Sequence, residues 1–161
     1  MILGLLSDSH GRADRVRQAL ALLDERGAQT FIHCGDIGGV DVFEEFVGRD
    51  LRFVWGNCDV PTQAVNAYLQ TVGLTAPAAS PLELTLAGRT IQVFHGHEPQ
   101  FRTALAHPNT DYILHGHTHA ARDERVSRTR IINPGALQRA AAYTVATLNL
   151  ADDVLEFHEL R

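Results

Sequence analysis

A chain of 161 residues with 45% hydrophobic and 20% charged content has the length and make-up of one globular domain, residues 1–161, with a sizeable core. Its net charge of −5 argues against a general affinity for nucleic acid, and its two cysteines, Cys34 and Cys58, are too few for a disulfide framework. No apolar run reaches membrane-spanning length, and the apolar opening lacks a basic flank, so no membrane association and a cytoplasmic location are expected. All 14 basic residues are arginine, a compositional bias with no chemical message of its own.

Ile2–Leu6 is a continuous apolar run of strand length, followed by a loop, Ser7-Asp8-Ser9-His10-Gly11. Over residues 12–25 apolar positions fall at Val16, Ala19, Leu20, Leu22 and Leu23, which predicts a surface helix with Gly27 placed to stop it. Thr30–His33 reads as a second strand ended by Cys34-Gly35-Asp36. A short helix over residues 40–47 leads to a third strand, residues 51–55, ended by Gly56-Asn57-Cys58-Asp59. Strands and helices alternating at this spacing predict parallel pairing.

Residues 61–81 carry three prolines and one short helical stretch, residues 64–70, and read as a connection between two halves. A hairpin follows: Leu82–Leu86, a turn at Ala87-Gly88-Arg89, then residues 90–94, ended by His95-Gly96-His97. Residues 98–106 are helical by pattern, and residues 111–114 form a strand that runs into His115-Gly116-His117-Thr118-His119. Strand-like runs at Arg122–Val126, 130–132, 143–150 and 154–158 close the chain. Arg122, Arg125, Arg128 and Arg130 on the late hairpin read as a solvated edge strand kept from pairing by charge.

Three imidazoles within five residues, 115–119, point to a metal site rather than to packing. Other strand ends carry further ligand types. Asp8 and His10 follow the first strand, Asp36 the second, Asn57 the third, His95 the hairpin, and His117 with His119 the next. Ligands in open α/β sheets bind outside the carboxyl ends of the strands, so these seven side chains are expected on one rim. Taken singly, an Asp or Asn there is a turn residue and a His is merely hydrogen-bonded. His33, His107 and His158 are left to that ordinary reading.

The ordered set Asp-x-His, Gly-Asp, Gly-Asn-x-Asp, His-Gly-His and Gly-His-x-His, spanning Asp8 to His119, resembles the calcineurin-like metallophosphoesterase superfamily, in particular its small YfcE-type phosphodiesterases. The Asn133-Pro134-Gly135 turn is similar as well. The resemblance implies a four-layer αββα sandwich of two mixed β-sheets flanked by helices. It also implies a metal-dependent phosphoesterase, most of all a phosphodiesterase, that takes a small phosphate-ester substrate. By the same resemblance Asp8, His10 and His119 would hold one divalent ion, Asn57, His95 and His117 a second, and Asp36 would bridge them, with a bridging hydroxide for in-line attack on phosphorus. Mn²⁺ heads the candidates, and this mixture of oxygen and imidazole donors also suits Ni²⁺, Co²⁺, Fe²⁺ or Zn²⁺.

One position departs from the superfamily pattern. Many members carry His after Gly-Asn, where it serves the leaving oxygen; here the residue is Cys58, in the motif that ends at Asp59. A thiol is a poorer charge stabiliser than an imidazolium, and His97 is the nearest alternative. Cys58, Asp59 and His97 are therefore the candidate catalytic residues beside the ligands. A homo-oligomer is compatible with this reading. The competing reading is a non-catalytic protein-binding scaffold of the same fold, which would be expected to have lost ligands; a phosphomonoesterase or a nuclease is the other variant.

Overall fold

The computed structural model describes residues 1–160. In chain order its elements are β1 (Ile2–Leu6), α1 (Ala13–Glu25), β2 (Thr30–His33), α2 (Val40–Glu44), β3 (Leu51–Phe53), α3 (Gln63–Thr71), β4 (Leu82–Leu86), β5 (Arg89–Val93), α4 (Pro99–Ala106), β6 (Tyr112–Leu114), β7 (Arg122–Val126), β8 (Thr129–Asn133), β9 (Thr144–Asn149) and β10 (Val154–Glu159). They form two five-stranded sheets, ordered β10-β9-β1-β2-β3 and β4-β5-β6-β8-β7. Both are mixed. β1, β2 and β3 run parallel, as do β5, β6 and β8, while β9, β10, β4 and β7 are antiparallel to their neighbours. The chain passes from the first sheet to the second through α3 and the proline-containing segment after it, then returns for β9 and β10.

Strand periodicity decides which side chain enters which layer. Leu3 and Leu5 of β1, Ile32 of β2, Val93 of β5, Leu114 of β6, Ile132 of β8 and Leu148 of β9 meet between the sheets, all fully buried or nearly so. The alternate residues Leu6, Phe31 and Phe53 face outward and pack on Val16, Leu20 and Leu23 of α1, Phe43 of α2 and Leu69 of α3. On the far side Ile113 and Ile131 receive Phe94 and Phe101, the latter from α4. The result is four layers: helices, sheet, sheet, helix. Each such buried aliphatic or aromatic side chain contributes roughly 1.5–3 kcal/mol, so these three clusters dominate the stabilising side of folding.

Local chemistry explains where the elements end. Ala87 and Gly88 both take positive φ (47° and 76°), which makes the β4–β5 connection a two-residue turn with Leu86 paired to Arg89. Arg89 therefore opens β5 instead of lying in the turn. α2 stops at Glu44, short of the expected residue 47, because the chain tightens into successive three-residue bonds (Phe46 N–H to Phe43 O, Val47 N–H to Glu44 O). That tightening keeps Phe43 and Phe46 buried, and the Phe43 ring stands 5.0 Å from Phe53 and 5.9 Å from Trp55.

The late hairpin does end in an edge strand, β7, with Arg125 and Arg128 exposed, but Arg130 is not part of a solvated face. Arg122 pairs with Glu124, and Arg128 donates to the Asn109 carbonyl. Arg130 is only 9% exposed; it donates to both carboxylate oxygens of Asp123 at 2.7 and 2.8 Å and to Asp153 Oδ1 at 2.7 Å. Arg125 and the Tyr112 hydroxyl also donate to Asp153. Asp153 lies in the β9–β10 turn, so this network stitches one sheet to the other at the end where β1 and β6 begin. Sequence could not show this because Asp153 is distant along the chain and gives no local signal.

Replacing Arg130 leaves Asp123 and Asp153 without their shared partner. Arg130→Met should lower unfolding stability by about 2 kcal/mol, below the cost of breaking a fully buried pair because the two carboxylates are partly exposed. Urea denaturation of parent and variant checks this; a loss under about 0.5 kcal/mol would mean that the network behaves as a surface pair.

Candidate metal centre

The carboxyl ends of β1, β2, β3, β5 and β6 open on one edge of the sandwich. Five loops meet there, and hydrogen bonds join them across the seam between the sheets. Asp8 N–H donates to Gly35 O and His10 N–H to Asp36 O within the first sheet's loops. From the second sheet, His117 N–H reaches Asp8 Oδ2 at 3.0 Å and His95 Nδ1–H reaches the Cys34 carbonyl at 2.8 Å. The seven side chains singled out by the sequence all lie at this edge.

Their backbone is strained. Asp8, His10, Asp36, His117 and His119 take φ values of 53°, 45°, 53°, 68° and 56°, in the left-handed region. That conformation costs a non-glycine residue on the order of 1–2 kcal/mol, and such residues cluster at functional sites. Two glycines allow the close approach. A Cβ at Gly56 would fall within the Asp36 carboxylate, and one at Gly116 would collide with the Ser7 hydroxyl and stand 2.7 Å from Asp8 Oδ2.

The donor atoms form two clusters. His119 Nδ1 donates to the Arg139 carbonyl at 3.2 Å, which leaves Nε2 of the neutral ring as a bare lone pair. That atom lies 3.1 Å from Asp8 Oδ1 and 3.4 Å from His10 Nε2. Asp8 Oδ1 is buried and has no hydrogen-bond partner. In the second cluster His95, whose Nδ1 is committed to Cys34 O, turns Nε2 toward Asn57 Oδ1 at 3.0 Å and His117 Nδ1 at 3.3 Å. Asp36 stands between, its Oδ2 3.5 Å from His95 Nε2 and 3.7 Å from His10 Nε2.

When His95 and His119 are neutral, their bare nitrogens face acceptor oxygens at these distances, and such contacts repel unless a proton or a cation sits among them. This fits a metal site: Asp8, His10 and His119 offer one group of mutually close ligand atoms, and Asp36 joins His95 and Asp8 in another. The same crowding moves the titrations. Burial penalises the charged Asp36, but the His95 ring and the Cys58 N–H outweigh it and hold the carboxyl well below its usual range. Burial lowers His95, yet Asp36 and the Cys34 carbonyl prevail and raise it. For His10 burial prevails, and its pKa falls.

The three candidate catalytic residues are placed differently from one another. Cys58 is exposed; its N–H donates to Asp36 Oδ1 at 2.8 Å, and its thiol, beside the Asp36 carboxylate, is pushed above its ordinary pKa. His10, Asp36 and Cys58 also offer mutually close ligand atoms, so the thiol stands at the edge of the donor set. Asp59 accepts from the N–H groups of Gly38 and Gly56 at 2.9 and 2.8 Å, which ties two ligand loops together. His97 is exposed at the rim, its ring 5.4 Å from His95 and 6.2 Å from His117.

His115, outside the seven expected ligands, corrects the expectation that the run 115–119 owes nothing to packing. It is buried against Phe101 at 4.8 Å, away from both clusters, and burial lowers its pKa to about 4. Here a histidine is a packing residue after all. Several supports escaped the sequence reading. Glu98, buried, accepts from the N–H groups of His95 and Gly96 and from Ser80. Asn133 donates to Gly116 O at 2.8 Å and to Thr118 Oγ1 at 3.1 Å, so the Asn133-Pro134-Gly135 turn clamps the 115–119 loop. Ser9 Oγ donates to Ile37 O and accepts from His33 Nε2 at 2.9 Å. A residue such as Glu98, three positions beyond a ligand and before a helix, is the one signal that could have been found.

Comparison with known proteins agrees with this geometry. The model of the calcineurin-like phosphoesterase superfamily domain matches residues 1–153. A phosphodiesterase of Methanocaldococcus jannaschii is 25% identical over 138 residues, 84% of this chain and 83% of that protein. The structure of an archaeal phosphodiesterase superposes with a TM-score of 0.88 at 23% identity, over 99% of this chain and 100% of the other. That of Yfce, an Escherichia coli phosphoesterase, gives 0.70 at 22% identity, over 100% of both chains. Both structures share the fold. Among the described residues no helix is long and apolar enough to cross a membrane.

The support beneath the Asp8–His10 loop has a pH signature. Burial lowers the His33 pKa from its ordinary 6.5 to about 3 in the folded chain. Below pH 6.5 the unfolded chain therefore binds more protons at this residue, and stability falls as pH drops toward 3, by up to about 1.4 kcal/mol per pH unit. His33→Gln keeps a donor for Ser9 and should flatten the decline between about pH 6 and 4 in chelator-treated protein. An unchanged slope in chemical denaturation at stepped pH would show that His33 is not the source.

Proposed function

The chain belongs to the calcineurin-like phosphoesterase superfamily, and from that premise we propose that it is a metal-dependent phosphodiesterase acting on small phosphate esters at the rim around Asp36. The observation that carries this reading is the pair of lone-pair clusters that share Asp36. In this reading Asp8, His10 and His119 hold one divalent ion, Asn57, His95 and His117 hold a second, and Asp36 touches both. Mn²⁺ is the first candidate for this mixture of oxygen and imidazole donors. Such ions, when bound, supply Lewis acidity toward phosphoryl oxygens and an activated water for in-line attack.

The chain's own residues set the geometry of that chemistry. The Cys34 and Arg139 carbonyls fix the tautomers of His95 and His119, so that the bare nitrogens point inward. Glu98 locks the backbone at His95 and Gly96, and the Cys58 N–H fixes Asp36 Oδ1 and leaves Oδ2 for the clusters. Asp59 acts as a positioning residue through Gly38 and Gly56. The M. jannaschii relative's activity supports diesters over monoesters. A binding scaffold is disfavoured because every one of the seven donors is present, and an acidic chain gives a nuclease no basic groove. A cytoplasmic location belongs to the same reading.

Metal-stripped protein reloaded with one metal at a time should bind about two ions per chain and, with Mn²⁺, hydrolyse diesters from a panel that includes monoesters and cyclic nucleotides. Asp36→Asn should lose more activity than Asn57→Ala, because only Asp36 reaches both clusters. Saturation at one ion, or no turnover with any metal, would overturn the assignment.

Cys58 bears on the leaving group. Its thiol stays protonated beside Asp36 and stabilises developing charge poorly, so nitrophenyl diesters should turn over well and alkyl diesters slowly. Cys58→His should raise alkyl-diester turnover by about 10–100-fold and leave nitrophenyl substrates nearly unchanged. A rate independent of leaving-group pKa in both proteins would show that protonation does not limit turnover; little gain in Cys58→His together with a large loss in His97→Ala would assign the proton to His97.

A further inference from the structure

Arg139 lies outside the donor set yet is tied to it. Its carbonyl accepts from His119 Nδ1 at 3.2 Å, and its own φ of 55° is left-handed, like those of the ligands it adjoins. The preceding segment is held in place: Leu137 N–H donates to Ser7 O at 3.2 Å, and Arg15 donates to Leu137 O at 2.7 Å. The Arg15 guanidinium also stacks 3.7 Å over the Tyr143 ring. Residues 137–143 thus form a bracket laid beside the Asp8 loop, and Arg139 is presented from it at the rim.

Its side chain is exposed and has no ion-pair or hydrogen-bond partner among the described residues. Arg12, Arg17, Arg49, Arg122, Arg125 and Arg130 face carboxylates; Arg26 and Arg102 are unpaired among the described residues, like Arg139, but neither adjoins a ligand of the donor set. Through its carbonyl Arg139 adjoins His119, whose ring centre lies 5.3 Å from that of His10, and His10 and Cys58 offer mutually close ligand atoms. It therefore lies on the side of the centre where Cys58 occupies the position that carries an imidazole in much of the superfamily. A free, fixed-geometry fork of N–H donors beside a phosphoryl site matches the oxygens of a phosphate.

We propose that Arg139 is the anion anchor of this site: its guanidinium donates to phosphoryl oxygens of the ester on the His10–Cys58 side and supplies positive charge that Cys58 does not. The proposal rests on the phosphoesterase reading for its substrate, but its anion-binding core is measurable without turnover. Arg139 contacts the substrate directly. Its backbone, through His119, separately supports a ligand, and side-chain variants leave that carbonyl in place.

The test is calorimetric binding of inorganic phosphate to Mn²⁺-loaded full-length protein, with bound metal measured in each variant. Arg139→Met should weaken phosphate binding by about 10–100-fold with metal content unchanged, and Arg139→Lys should restore only part of it, since a point charge lacks the fork. Arg26→Met, an equal charge change just beyond α1, should bind as the parent does. Phosphate binding unaltered in Arg139→Met overturns the proposal, and so does a loss that tracks lost metal, which would make Arg139 a support for His119. A parent that binds no phosphate overturns it too. If the loaded parent hydrolyses no ester while phosphate affinity still falls in Arg139→Met, the phosphodiesterase reading fails and the anion anchor stands.

Discussion

The crowding of carboxylate, amide and imidazole ligand atoms at one edge of the sandwich is the constraint on which this molecule turns. Asp8 Oδ1, His119 Nε2 and His10 Nε2 converge from two loops, as do Asn57 Oδ1, His95 Nε2 and His117 Nδ1, with Asp36 between. Such an arrangement is unfavourable by itself, and it persists because the second nitrogen of two of the histidines is tied to a carbonyl, at Cys34 and at Arg139. The protein holds the ligand atoms together, and a bound cation would relieve their mutual repulsion. In the proposed centre, hydrogen bonds one step removed from the ligands would orient the histidines for a metal.

The rest of the fold is arranged to withstand that stress. Five left-handed residues at the rim carry strain that must be offset elsewhere, and the three hydrophobic clusters do so. Because the ligand loops come from both sheets, any sliding of one sheet on the other would separate the donors. The apolar packing between the sheets and the Arg130–Asp123–Asp153 network at the far end both resist that motion. Stability and site geometry are coupled through sheet registration, though no side chain of the network touches the site.

The substrate side is built differently from the metal side. Cys58, His97, Asn57 and Arg139 are exposed where the donors beneath them, Asp8, Asp36 and His95, are buried. A rigid floor under an open, polar rim suits a reaction whose chemistry is shared by many phosphate esters while selectivity is left to the few groups at the lip. With Cys58 in place of an imidazole and an unpaired Arg139 beside His119, the proposed site would carry its positive charge differently from the superfamily's common pattern.

The sequence by itself determined much of this. Apolar runs and helical periodicity located every strand and helix to within a few residues, since those signals are local and each element buries one face. The seven ligand candidates were legible because each follows a strand of an α/β pattern, where the chain must turn and side chains are free to meet. The sequence left His115 out of the ligand set, but only the tertiary structure showed what it does instead, packing against Phe101 while His117 and His119 take left-handed backbone at the rim. The tertiary structure alone showed Glu98, Asn133 and Arg139 holding the ligand loops, and it brought Asp153 of one sheet to Arg130 of the other. Composition and spacing report which groups a chain carries; the distances between lone pairs, which decide what those groups do, exist only once the sheets have closed on each other.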